Sequence, residues 1–307
     1  MRIFPRHRGG GPVDSKAATQ KFGAEPTGRG SKGAKLMASK DAHMLGHGEG
    51  ELKRLATQAR LIDPITRRFL VSAGIKEGMR ILDVGSGAGD VAILLAGLVG
   101  PKGEIVGTDL ALTAIEAAER RVKASSLANV TFRHGDPTAM LFDKPFDAVV
   151  GRYVLQFIPN PSAAIGHLSR HLRRGGLMFF HELDWGGARS SPPVPTYDRV
   201  CGWITRTIEG GGAQVRLGAH LASAFQRGGL SNPTLRLESV IAPGPAAVDA
   251  IHLVTDVVAT QLPNMERMGI TKASEVELPT LAQRILAEVG ADGTLVGRAE
   301  VGAWAVI

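Results

Sequence analysis

One stretch constrains this chain more than any other: Ile81-Leu82-Asp83-Val84-Gly85-Ser86-Gly87-Ala88-Gly89-Asp90. An apolar run enters a glycine-rich turn, and a helical stretch, Asp90 to Leu98, follows it and ends at Gly100-Pro101. Strand, tight turn and helix in that order open a βαβ unit. The glycines permit the turn and let a ligand approach the backbone. The helix start beyond them offers free N–H groups and a partial positive charge. Asp90 stands where a dinucleotide fingerprint has its third glycine, and Asp83 lies two residues before the first glycine. A carboxylate there repels a diphosphate but can hold an amino group. A zwitterionic amino-acid tail therefore suits this turn better than a pyrophosphate.

The alternation continues along the chain. Strands are expected at Arg80–Val84, 104–108, 130–133, 146–150 and 177–181, with helices at Leu112–Ala124 and 162–172 between them. That rhythm argues for a parallel sheet with helices on both faces. Before it, 49–73 reads as a helix that Pro64 should break or kink. After it come helices at 197–208, 217–227, 248–260 and 274–286, a strand at 235–241, and a final strand or hairpin at 294–307.

Further acids fall at strand ends. Asp109 closes the second strand and can accept both hydroxyls of a ribose, each charge-assisted bond contributing about 1.5–3 kcal/mol. His134-Gly135-Asp136-Pro137 follows the third strand, and Asp136 can accept from an adenine amino group. Gly151-Arg152-Tyr153 follows the fourth. These turns share the carboxyl edge, where parallel sheets bind ligands.

This set resembles the class I S-adenosyl-L-methionine-dependent methyltransferases, most closely the small-molecule branch with the ubiquinone and menaquinone enzymes. The likeness covers about residues 43–185. Leu45-Gly46-His47, Glu51-Leu52-Lys53-Arg54-Leu55, Phe146-Asp147-Ala148-Val149-Val150, Leu172-Arg173-Arg174-Gly175-Gly176 and the terminal Val301-Gly302-Ala303-Trp304-Ala305 support it. The resemblance implies an α/β, Rossmann-like fold: a seven-stranded, mostly parallel sheet with an antiparallel last strand and a helical cap. It implies S-adenosyl-L-methionine as cofactor. Asp83, Gly85, Ser86, Gly87 and Gly89 would line its methionine part, Asp109 and Leu110 its ribose and adenine, and Asp136 with Pro137 the adenine edge. Arg152 would face the cofactor or the substrate entrance. Relatives often carry a tyrosine near His43, so the chain departs from them there.

Methyl transfer from a sulfonium chiefly needs an aligned nucleophile, and some acceptors also need a general base. His181 and Glu182, after the fifth strand, are the candidates for that base, with Asp184 beside them. His43, His47 and Tyr153 are candidate substrate contacts; Trp203 and Phe225 are expected to pack in the core, with walls of an acceptor pocket as the alternative reading. No metal is expected, since His-Glu-x-Asp is no recognised ligand spacing and Cys201 is the single cysteine. Neither Asn/Asp-Pro-Pro-Tyr nor a Pro-Cys nucleophile is present, and late helices covering the site favour a small acceptor over nucleic acid. An RNA methyltransferase and a non-catalytic cofactor-binding protein are the competing readings.

Charge separates the chain into parts. Of 36 Lys and Arg and 29 Asp and Glu, residues 1–40 hold nine and two, which leaves 27 of each in 41–307. The net charge of +7 is therefore a property of residues 1–40, a basic, glycine-rich stretch too poor in apolar groups to order itself. The expected organisation is a disordered tail at 1–40 and a methyltransferase domain at 41–307. Within that domain, 41–78 would be a helical lid, 79–185 the cofactor core, and 186–307 the cap and last strands. The longest apolar run, 91–99, is half a membrane span, and the start has no secretory apolar core. A cytoplasmic protein is expected, of undetermined oligomeric state.

Overall fold

Apolar runs bounded by turns become strands buried on both faces when helices flank the sheet. The computed structural model describes residues 49–307, with side-chain detail from residue 58. His43, His47 and the basic stretch 1–40 lie outside the described residues. In chain order the elements are α1 (Glu49–Ala73), β1 (Arg80–Val84), α2 (Asp90–Val99), β2 (Glu104–Asp109), α3 (Leu112–Ala124) and β3 (Val130–His134). There follow β4 (Phe146–Arg152), α4 (Pro161–Leu168), β5 (Leu172–Asp184), β6 (Arg189–Ser191), α5 (Pro195–Gly210) and α6 (Leu217–Arg227). Last come β7 (Thr234–Pro243), α7 (Val248–Arg267), α8 (Ala273–Val276), α9 (Leu278–Val289) and β8 (Thr294–Val306).

The sheet runs β3-β2-β1-β4-β5-β8. The first five strands are parallel, and β8 lies antiparallel to β5, with Leu177 opposite Val306 and Asp184 opposite Ala299. β7 pairs with the other side of β8, and the three-residue β6 continues the β5 side at Thr294–Val296. The described sheet thus has eight strands rather than the seven expected, because the chain leaving β5 touches β8 once more before the cap.

Side-chain alternation assigns each face a core. Leu82, Val84, Val149 and Phe180 pack against α4 and α6 through Ile165, Leu221 and Phe225. On the other face, Ile81, Ile105, Val150 and Phe179 pack against α1 and α2 through Ile62, Phe69 and Leu95. A third core joins α5, α7 and α9 around Trp203, Ile204, Ile251, Val258 and Ile285.

Several boundaries differ from the expectation. α1 continues through Pro64, since Ile62, Phe69 and Leu70, all fully buried, outweigh one lost backbone bond. The helix expected at 162–172 stops at Leu168, and Leu172 already pairs with Phe146, ahead of a bend at Gly175 (φ 70°). The helix expected at 274–286 is split by Glu277, which is left-handed at φ 47°, and Pro279 starts the next one. The end of the chain is one strand and not a hairpin.

Candidate active site

The carboxyl ends of β1, β2 and β4 meet around one carboxyl group. Asp83 is 1% exposed, and neither of its oxygens has a hydrogen-bond partner among the described residues. Burial lifts its pKa from 3.8 to about 8; Arg152 opposes the rise, and Asp109 and Asp90 add to it. A buried carboxyl with no donor costs stability, so this position points to a donor that comes with a ligand.

The turn beyond Asp83 is built for close approach. Gly85, Gly87 and Gly89 all have positive φ, at 65°, 52° and 87°, a region that suits residues without Cβ. At Gly85 an added Cβ would sit 2.5 Å from Val154 Cγ2, so the loop after β4 is pressed against the turn. At Gly87 an added Cβ would meet nothing within 4 Å, so open space lies over the middle of the turn. Ser86 donates its backbone N–H to the Thr108 carbonyl (2.9 Å), and its buried hydroxyl has no hydrogen-bond partner among the described residues.

Asp109 ties this turn to its neighbours. Its Oδ2 accepts the N–H of Gly87 and its Oδ1 that of Ala111, each at 2.9 Å. An ionised carboxylate has about four lone-pair sites, so each oxygen keeps capacity for a ligand hydroxyl. Leu110, next in the chain, is 37% exposed. The N–H of Gly135 donates to the Asp109 carbonyl at 2.8 Å, which brings the Asp136-Pro137 turn alongside. Asp136 Oδ1 accepts from the backbone and hydroxyl of Thr138, and the Pro137 carbonyl takes His171 Nε2 at 2.7 Å.

The two candidate bases lie inside the protein. His181 and Glu182 are both fully buried. Adjacent strand residues face opposite sides of the sheet, so the two serve separate purposes. Glu182 Oε1 accepts the N–H groups of Val154 (2.9 Å) and Leu155 (2.8 Å) and holds the loop that presses on Gly85. Burial raises its pKa to about 8 against the pull of the backbone bonds from Leu155, Val154 and Gln156.

His181 lies in a polar chain on the α1 side. Its Nε2 is 3.0 Å from Glu300 Oε2 and its Nδ1 3.1 Å from Thr66 Oγ1. Glu300 is buried as well, and burial alone would raise its pKa. Arg298, with hydrogen bonds from His181 and Tyr153, instead holds it down at about 2. An ionised Glu300 only accepts, so Nε2 carries the imidazole proton, and burial keeps the ring neutral by lowering its pKa. Tyr153 donates to Glu300 Oε2 at 2.5 Å from a left-handed backbone (φ 58°). Arg152 reaches Asp63 (2.6 Å) and Thr66 (3.1 Å). The chain therefore runs Asp63, Arg152, Thr66, His181, Glu300, Tyr153, Arg298.

Asp63, Thr66, Arg298 and Glu300 are not among the residues singled out from the sequence. The available signal was Arg298-Ala299-Glu300 in an apolar strand, where period two puts opposite charges on one face. Trp203 lies in the cap core, and Phe225 packs edge-on against Phe180, 6.3 Å away, on the sheet face opposite His181.

A family model described as a methyltransferase domain matches residues 75–201. Demethylmenaquinone methyltransferase of Staphylococcus aureus is 31% identical over 135 residues, which is 44% of this chain and 53% of that one. The match thus spans about half the length of the curated relative. Among solved structures, the YcgJ protein of Bacillus subtilis aligns over 79% of this chain and 96% of its own, with a TM-score of 0.50 at 16% identity. A candidate methyltransferase of Bacillus halodurans gives a TM-score of 0.50 at 18% identity, over 78% and 96% of the two chains. At such identities the structures share the fold.

Proposed function

Residues 75–201 form a class I methyltransferase domain resembling that of the quinone methyltransferases, and on that premise we propose that the protein transfers a methyl group from S-adenosyl-L-methionine to a small organic acceptor. One observation carries the reading: a buried, unpartnered Asp83 carboxyl beside an open glycine turn. The residues present fit the cofactor. Asp83 would take its ammonium group, Gly87 would give it room, Asp109 would receive its ribose hydroxyls, and Leu110 and Asp136 would hold its adenine. When bound, the cofactor supplies an electrophilic methyl group on a positively charged sulfur.

The protein's own contribution is alignment and exclusion of water. Glu182 fixes the Val154–Leu155 loop, which presses on Gly85 and so holds the turn. Arg152, tied to α1 through Asp63, sets one wall. The apolar core of the cap extends to Tyr153, the first residue after β4. A cap reaching the reacting edge supports a small acceptor rather than a folded RNA. No helix among the described residues is long and apolar enough to cross a membrane, and a cytoplasmic location belongs to the same proposal.

The test is calorimetric titration with S-adenosylhomocysteine, which carries the same ammonium group. Micromolar binding is expected; a folded protein that shows none defeats the reading. Proton linkage sharpens it. In the empty site Asp83 stays protonated below its pKa of about 8, and pairing with an ammonium group favours the carboxylate. About one proton should therefore leave per ligand bound at pH 6–7, and affinity should rise with pH towards 8. Titrations in buffers of different ionisation enthalpy measure this directly. No proton release would remove Asp83 from the ammonium site.

Asp109→Ala should weaken binding at least tenfold, about 1.4 kcal/mol, since it removes the ribose acceptor and frees the Gly87 N–H. Unchanged affinity in the same titration would discard the ribose role.

A further inference from the structure

Among the described residues, the sheet ends on one side in a long strand whose outer edge is unpaired. β7 runs ten residues and pairs with β8 alone. An edge of free N–H and C=O groups templates pairing with another chain unless something shields it. Leu235, Leu237 and Ile241 are 40%, 64% and 65% exposed. The first two lie opposite Ala303 and Val301 of β8, which belong to the core under α6. The apolar face of the sheet therefore extends past its last covered strand. On the α1 side, Arg236 donates to Ser72 Oγ, and Glu238 accepts from Arg68 Nε at 3.0 Å.

We infer that β7 pairs edge to edge and antiparallel with β7 of a second copy of this chain, across a two-fold axis at Leu237. Pairing that keeps the two faces of the joined sheet aligned matches residues of equal parity, and a two-fold interface is self-complementary. Three central registers satisfy this, with the axis at Arg236, Leu237 or Glu238. The first opposes Arg236 to its own copy and the third does the same to Glu238; like charges directly opposite are unfavourable. The axis at Leu237 sets Arg236 against the partner's Glu238, twice by symmetry, and Leu237 against the partner's Leu237. The same register pairs 235–239 with 235–239 of the partner, inside the stretch Thr234–Ser239 that runs along β8 without a register break. Charge selects this alignment over its two neighbours. The Asp83 turn ends β1, from which β4, β5 and β8 separate β7, so both copies keep it clear of the joint.

Light scattering coupled to gel filtration on the full chain, from 1 to 100 µM, tests this. A particle of twice 32.3 kDa is expected. Leu237→Lys, a change at an exposed side chain, should give a folded single chain. Arg236→Glu should raise the dimer dissociation constant at least tenfold, and adding Glu238→Arg should restore it. A single-chain mass for the wild type throughout that range overturns the inference, as does a dimer indifferent to Leu237→Lys. Slow amide exchange at 235–239 in a single-chain particle would also overturn it, because something else would then cover the edge.

Discussion

Asp83→Asn should lower affinity for S-adenosylhomocysteine at least a hundredfold while leaving the fold intact. The substitution keeps shape and removes the charge that an ammonium group needs. A charge-assisted bond contributes about 1.5–3 kcal/mol in the open, and water exclusion at a side chain 1% exposed strengthens it. Stability should move the other way. A carboxyl whose folded pKa is raised from 3.8 to about 8 contributes stability that is present below its unfolded pKa and lost as pH rises through its folded pKa. The empty wild type should therefore weaken between pH 4 and 8, and Asp83→Asn should not share that loss. Melting curves at pH 5 and pH 8, beside the titration, separate the two effects. A variant that binds normally, or one that fails to fold, contradicts the assignment.

Arg298→Met should be the most destabilising single change in the buried network. Arg298 and Glu300 are 6% and 1% exposed, with Nε 3.1 Å from Oε1. Removing one partner of a buried pair leaves an uncompensated charge, at a cost of about 3–5 kcal/mol. That is a fall in melting temperature on the order of 10 °C for a domain of this size. Glu300 is held at about 2 against an ordinary 4.5, so its contribution is present above pH 4.5 and lost as pH falls through 2. The gap between variant and wild type should be widest at neutral pH and shrink below pH 4.5. Replacing both residues, Arg298→Met with Glu300→Leu, should recover much of the loss. Chemical unfolding at pH 7 and pH 3 checks all three statements. A single variant as stable as the wild type would show that the pair is not held as described.

Much of the frame was legible because it is local. β1, α3 and α6 carry their periodicity and their stops in their own residues, and their bounds match the expectation from sequence. The Asp83 turn was legible for the same reason. What escaped was set by distant pairing. β5 begins at Leu172 because Phe146 lies opposite it, and nothing in residues 169–176 states that. His181 and Glu182 read from the sequence as candidate bases at a strand end; β8 and the loop after β4 bury them. Sequence shows polar residues at a strand end equally well whether they meet solvent or a matching set from elsewhere. Here the matching set is Thr66, 115 positions earlier, and Glu300, 119 later.

The position of β8 imposes an order of assembly. The last of the eight described strands is an interior one, wedged between β5 and β7. Until it arrives, β5 and β7 have no contact through the sheet, His181 lacks its carboxylate, and the loop carrying Tyr153 lacks its anchor. As the chain leaves the ribosome, the glycine turn and β1–β4 can form early from near neighbours. The reacting edge waits for the final residues described here. Such long-range closure is slow, and the unfinished sheet meanwhile shows two open strand edges to its surroundings.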